Sequence, residues 1–178
     1  MSETLKIELW PSPVLLKPTE AVKEINGSLK KLIDAMAMTM YSAPGVGLAA
    51  NQVGKKLRVA VIDTSPIESP KNLIVLINPE IVQKEGKEVM EEGCLSLPGF
   101  RADIVRAAKV VVRAVGLDEK QFEIEADGLL ARALQHEIDH LDGKVFPDRL
   151  SRLKREFFLK KVRKAIENGV FGKMEAQE

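Results

Sequence analysis

Both histidines of this 178-residue chain fall in one run, Gln135-His136-Glu137-Ile138-Asp139-His140. On a helix four residues advance by about 400°, so the two imidazoles lie about 40° apart on one face, one turn above the other. Two ring nitrogens placed this way can hold one metal ion at about 2.0–2.1 Å each. Glu137 is rotated about 100° from His136 and can reach a water on that ion without ligating it. The pattern is H-E-x-x-H, whose chemistry is metal-activated water with a carboxylate as general base. The residues around it predict a helix over Gly128 to Leu141, with Asp127 as N-cap and Gly143 just past its end. Leu130, Ala133, Leu134, Ile138 and Leu141 make most of its circumference apolar, so it is central and largely buried. Two His and a Glu facing a core without a metal would be costly to desolvate, which disfavours a purely structural role.

The rest of the chain predicts an α+β fold in which largely antiparallel strands pack around that central helix, followed by a C-terminal helix. Pro11, Pro13 and Pro18 disfavour helix and imply an extended N-terminal arm. A helix is expected from about Ser28 to Tyr41, with Ser28 as N-cap and Leu29, Leu32, Ile33, Met36 and Met40 on one face. Strands are expected over Leu57–Asp63, Leu73–Asn78, Val105–Val115 and Gln121–Glu125, the last two joined by a Gly116-Leu117-Asp118 turn. The length suits one domain spanning residues 1–178. A balance of 27 Lys and Arg against 26 Asp and Glu excludes a protein whose whole surface binds nucleic acid. The single Cys cannot form an internal disulfide, and no apolar run approaches the roughly 20 residues that span a bilayer. With an N-terminus unlike a signal peptide, the expected setting is the cytoplasm.

A hydrolytic metal site normally takes three protein ligands and leaves a fourth position for water. Downstream, Glu156 and Glu167 are carboxylate candidates for the third, but both belong to a strongly basic helix expected at the periphery. Upstream lies Cys94, in Glu91-Glu92-Gly93-Cys94-Leu95-Ser96-Leu97-Pro98. A thiolate is an excellent ligand for a soft divalent ion, although a lone Cys is commonly a small buried hydrophobe. Spacing alone leaves the choice open. A third distinctive segment, Gly45-Val46-Gly47-Leu48-Ala49-Ala50-Asn51-Gln52, lacks both the phosphate-loop Lys and the dinucleotide-binding spacing. Read alone it is a structural turn into a packed strand or helix, although Gly47 allows close backbone approach to a ligand and Gln52 can donate an amide N–H.

Taken together, these three segments resemble peptide deformylase. That family is marked by a G-Φ-G-Φ-A-A-x-Q loop (Φ apolar), an E-G-C-L-S segment and a Q-H-E-x-x-H-x-x-G helix, present here in that order at 45–52, 92–96 and 135–143. The resemblance implies that Cys94, His136 and His140 hold the metal and that Glu137 is the catalytic acid/base. It implies an oxyanion hole made by the Leu95 backbone N–H and the Gln52 side chain, with Gly47 offering backbone hydrogen bonds to substrate. For the methionine side chain it implies a pocket of Val46, Met90, Leu129, Ala133 and His136, with Arg132 where an apolar residue is expected. The implied reaction is removal of the N-formyl group from the initiator methionine of nascent polypeptides, releasing formate. The implied metal is Fe(II), with Ni(II) or Co(II) as active substitutes, while softness and geometry also admit Zn(II).

Asp139 reads either as a partner for a ligating His or as solvent-exposed. Between Ser151 and Glu167 there are seven Lys or Arg against two Glu, a local charge of +5, and Phe158, Val162, Ala165 and Ile166 form a stripe that packs on the domain. The outer face is either a solvated surface or a dock for ribosomal RNA, without sequence-specific recognition of nucleic acid. Two other readings share the His pair: a zinc peptidase, disfavoured by the lack of a convincing downstream ligand, and a non-catalytic metal-stabilised ribosome-binding module, disfavoured by having only three soft ligands.

Overall fold

Asn26 starts the first helix, α1 (Gly27–Ser42), by accepting hydrogen bonds from the amides of Ser28 and Leu29, both at 3.1 Å. The cap is therefore Asn26 rather than Ser28, which lies inside the first turn and gives up one of the unpaired amides that a cap must satisfy. A computed structural model of the chain describes residues 4–66, 69 and 71–172. Strands β1 (Gly47–Ala49), β2 (Val59–Ile62), β3 (Ile74–Glu85), β6 (Lys109–Val115) and β7 (Gln121–Asp127) form a five-stranded antiparallel sheet in the order β1-β2-β3-β6-β7. A separate antiparallel pair consists of β4 (Glu88–Glu92) and β5 (Ala102–Arg106). Helix α2 (Gly128–Leu141) carries the His pair, and α3 (Arg152–Glu167) follows.

The period-two alternation of a strand places β2 between two layers. Val59 and Val61 pack with Leu29, Ile33, Met36 and Met40 of α1, whereas Ile62 packs with Ala131, Leu134 and Ile138 of α2. Helix α2 is thus buried against the sheet, as its apolar circumference predicts. Gly143 follows its C-terminus at φ +75, and a Cβ there would lie 2.6 Å from the backbone of Lys17, so only glycine suits this turn. Asp127 stands at the N-cap position but its side chain makes no capping hydrogen bond. A third core joins the arm to α3 through Trp10, Leu15, Ile104, Phe146, Leu159 and Val162. The buried face of α3 is Leu159, Val162 and Ala165; Phe158 is half-buried, and Ile166 is exposed rather than packed as its position in the stripe predicts.

The expected strand Val105–Val115 is two strands in different sheets. Gln135 of α2 causes the break by taking the backbone of Ala107: its Oε1 accepts from the amide (3.1 Å) and its Nε2 donates to the carbonyl (2.9 Å). The strand expected to end at Asn78 runs on to Glu85, past a bend at Asn78 (φ +52) whose side chain exchanges hydrogen bonds with Val22. The arm is not wholly extended, because Pro13–Leu16 make a 3-10 turn; proline suits a first turn, where its missing N–H costs nothing.

After β2 the chain is pinned by Asp63, which accepts from Tyr41 Oη (2.7 Å), the Ser65 and Asn72 amides (2.9 Å each) and the Ser65 hydroxyl. Burial acts to raise its pKa, but these donors outweigh it and hold the group at about 2. A folded pKa below the unfolded one stabilises the fold above about pH 4 and is lost as pH falls toward 2. Asp63→Asn is therefore expected to cost about 2 kcal/mol at neutral pH and little at pH 2, read as unfolding midpoints across that range.

Candidate active site

The three soft donors of the chain converge although Cys94 is 42 residues or more from either His. Cys94 Sγ lies 3.1 Å from His140 Nε2, which lies 3.2 Å from His136 Nε2, and the three donor atoms fall within 4.8 Å of one another. Two nitrogens bound to one tetrahedral ion at about 2.0–2.1 Å stand roughly 3.4 Å apart, so this spacing fits a common ion. Burial acts to raise the Cys94 pKa, but the imidazoles of His140 and His136 hold it well below its usual range, as a ligating thiolate requires. Glu156 and Glu167 lie on α3 and are not part of the cluster. The donor set therefore fits a soft or borderline divalent ion held by three side chains.

The chemistry of His136 is fixed from behind. Glu92, at the end of β4, faces its Nδ1 at 3.0 Å. Burial acts to raise the Glu92 pKa, yet hydrogen bonds from His136 and Arg106 hold it well below the usual carboxylate range. A carboxylate only accepts, so Nδ1 keeps its proton and Nε2 is the atom that would ligate an ion, in place of any proton it carries. Glu92 Oε1 also accepts from Arg106 Nε and Arg132 (2.5 Å each), and Arg106 reaches on to Asp139 at 2.7 Å. Asp139 is bound in turn by Arg149 and is 4% exposed, so it is neither a direct partner of a ligating His nor solvated. It is tied to His136 only through Arg106 and Glu92. Sequence reasoning missed this network, although Glu92 stands in the E-G-C-L-S segment itself.

Glu137 lies beside the donor set, 3% exposed, and its Oε2 is buried without a hydrogen-bond partner. Burial raises its pKa, making it a better proton acceptor than a solvated carboxylate. A Cβ on Gly47 would come within 2.8 Å of the Glu137 carboxyl carbon, so glycine there is what admits the side chain. Gly47→Ala is expected to displace Glu137 and lower kcat about a hundredfold with metal content unchanged, checked by turnover and metal analysis of one sample.

A cleft of about 740 Å³ opens over these groups. Val46, Gly47, Gln52, Cys94, Leu95, Leu129, Ala133, His136 and Glu137 all line it. Met90 does not; it stands on β4, 37% exposed. Arg132 lines it as well, but its guanidinium is turned into the protein onto Glu92, the Ile104 carbonyl and the Glu88 carbonyl, which leaves the methylene stem for the wall. Gln52 Oε1 accepts from the Ala49 amide (2.9 Å), while Nε2 donates to Ser96 Oγ (3.1 Å) and lies 3.5 Å from Cys94 Sγ.

The family model for polypeptide deformylase matches residues 4–156. The chain belongs to the peptide deformylase family. A relative named peptide deformylase from Thermodesulfovibrio yellowstonii is 57% identical over 157 residues, 88% of this chain and 95% of the relative. A crystal structure of a peptide deformylase from Legionella pneumophila superposes with a TM-score of 0.85 at 47% identity, covering 93% of this chain and 97% of the other. A peptide deformylase from Ehrlichia chaffeensis, solved in complex with actinonin, gives 0.84 at 40% identity, covering 91% and 97%. Peptide deformylases are metalloenzymes that remove the N-formyl group from nascent peptides, and the Cys94–His136–His140 group is a possible metal site of the matching kind. The zinc-peptidase and ribosome-binding-module readings give way to this family.

Proposed function

We propose that this cleft removes the formyl group of N-formylmethionyl peptides through the following division of labour. The observation that carries it is the convergence of Cys94, His136 and His140 beside a buried, pKa-raised carboxylate. Cys94, His136 and His140 hold one divalent ion, Fe(II) being the assignment that the family resemblance favours, with Ni(II), Co(II) and Zn(II) compatible with the same donors. Bound there, the ion supplies Lewis acidity and a nucleophile at neutral pH. Glu137 accepts a proton from the attacking water and returns it to the leaving amine. The Leu95 amide and Gln52 Nε2 donate to the oxygen that becomes negative when the formyl carbon is attacked. β1 is an edge strand of its sheet, so Gly47 is placed to bond an extended peptide backbone. Val46, Leu129 and Ala133 supply apolar wall for the methionine side chain, and Met90 stands outside the lining of the cleft.

Formyl-Met-Ala-Ser tests the reaction class. The expected products are formate and intact Met-Ala-Ser with a free amine; cleavage between Met and Ala would overturn deformylation.

No helix among the described residues is long and apolar enough to cross a membrane. We place the enzyme in the cytoplasm, docked on the ribosome through the basic face of α3, which suits a substrate that is still emerging. Binding to ribosomes is expected to weaken steeply with salt and to vanish on deletion of 151–178. Salt-independent binding, or binding that survives the deletion, would contradict the dock.

A further inference from the structure

Asn51 takes no part in the chemistry above, yet it is fully buried on the 3-10 turn Ala50–Val53, next to Gln52. Its Nδ2 donates to the main-chain carbonyl of His140, 2.5 Å away and 89 residues along the chain. The carboxamide cannot be reversed, because that would set its oxygen against a carbonyl oxygen. Its Oδ1 is buried with no partner, and so is Nδ1 of His140. These orphans are complementary. His140 Nε2 points at Cys94 Sγ and His136 Nε2, so when that atom ligates, the ring proton sits on Nδ1 and needs an acceptor. A ligating imidazole almost always gives its second N–H to a carboxylate, a carbonyl or a water. His136 has Glu92 for this; the unused acceptor on the side chain that already holds the His140 carbonyl is Asn51 Oδ1, which does not bond His140 Nδ1 in this structure.

We propose that Asn51 is the positioning residue of His140, gripping its carbonyl through Nδ2–H and taking up its Nδ1–H through Oδ1 in the metal-loaded enzyme. The proposal rests on the assignment of His140 as a ligand. It makes the two histidines unequal: His136 is backed by a carboxylate within an arginine network, His140 by a neutral amide. It also explains why two adjacent residues of one short turn serve the site differently, with Gln52 directed at the Cys94 segment and Asn51 at the end of α2.

Asn51→Leu keeps the approximate shape and removes both polar ends. It is expected to weaken Co(II) binding about tenfold to a hundredfold, measured by chelator competition, and to shift the visible absorption of bound Co(II). Thr19→Val is the control: Thr19 Oγ1 bonds the carbonyl of Leu141, the next residue of the same helix end, which is not a ligand. It is expected to lower the Tm of the metal-free protein and leave both Co(II) readouts unchanged. Unchanged affinity and spectrum in Asn51→Leu, or an equal loss in Thr19→Val, would overturn the proposal. His140→Ala separates the two readings. Wild-type affinity in that variant overturns the ligand assignment itself, whereas weakened affinity there with unchanged affinity in Asn51→Leu overturns only the role of Asn51. Wild-type protein loaded with Zn(II) gives a further reading that needs no variant to fold. Its His140 Nδ1–H is expected as a slowly exchanging proton resonance in contact with the Asn51 side chain, and exchange at the rate of an exposed imidazole would overturn the proposal.

Discussion

If Glu137 moves protons and is not a ligand, as proposed, Glu137→Ala is expected to lower the rate of formate release by a factor of about 10² to 10⁴ while the metal stays bound. Its absence from the Cys94–His136–His140 donor cluster supports the second half of that statement. The same substitution is expected to raise the Tm of the metal-free protein. Glu137 is a buried carboxylate with Oε2 unpaired and its pKa raised by burial, so removing it relieves a desolvation penalty. Opposite signs on activity and stability distinguish a catalytic group from a structural one. Wild-type turnover in the variant would end the acid/base assignment, and loss of metal would move Glu137 into the ligand set.

The largest effect on stability is expected at Arg106. Its guanidinium bonds Glu92 through two nitrogens, at 2.5 and 2.9 Å, and Asp139 through the third, and all three side chains are buried. Arg106→Met leaves Asp139 with only Arg149, and Glu92 with only Arg132 and His136. Breaking a buried pair from one side typically costs about 3–5 kcal/mol, since the remaining charges stay desolvated. The exposed Arg113–Glu123 pair, at 2.8 Å with both side chains more than two-fifths exposed, is the internal comparison; truncating it is expected to cost less than about 1 kcal/mol. Denaturant unfolding of both variants, metal-free, checks the contrast. Metal affinity should fall in Arg106→Met as well, because Glu92 orients His136. Equal costs for the two variants would show that the buried network adds nothing to the fold.

The candidate site was legible because its signals are local or scarce. His136, Glu137 and His140 share one helix at a spacing whose geometry follows from 3.6 residues per turn, and Cys94 is the only thiol in the chain. The family motifs joined them, and the structure brings all four side chains together. The supporting network was not legible, because its contacts join residues 10 to 44 positions apart on β4, β5, α2 and the turn before α3. A polar residue gives no sign in sequence of whether water, a His or an arginine satisfies it, so Asp139 read equally as a partner of a ligating His or as exposed, while the fold buries it against arginines. The same limit hid β4, whose Glu88-Val89-Met90-Glu91-Glu92 lacks an apolar alternation, and joined β5 to β6, because Ala107 and Ala108 carry no turn signal. That break is imposed from outside the segment, by Gln135. Met90 shows the remaining gap: family resemblance assigns it to the methionine pocket, and the structure leaves it outside the cleft lining.

The most direct test of the account is the rate of formate release from formyl-Met-Ala-Ser as Fe(II) is added under anaerobic conditions to metal-free protein. Background release is expected without metal, followed by a rise that saturates at one equivalent, with no comparable rise in Glu137→Ala. Full turnover without metal, or a rise in the variant equal to that of the wild type, would contradict it.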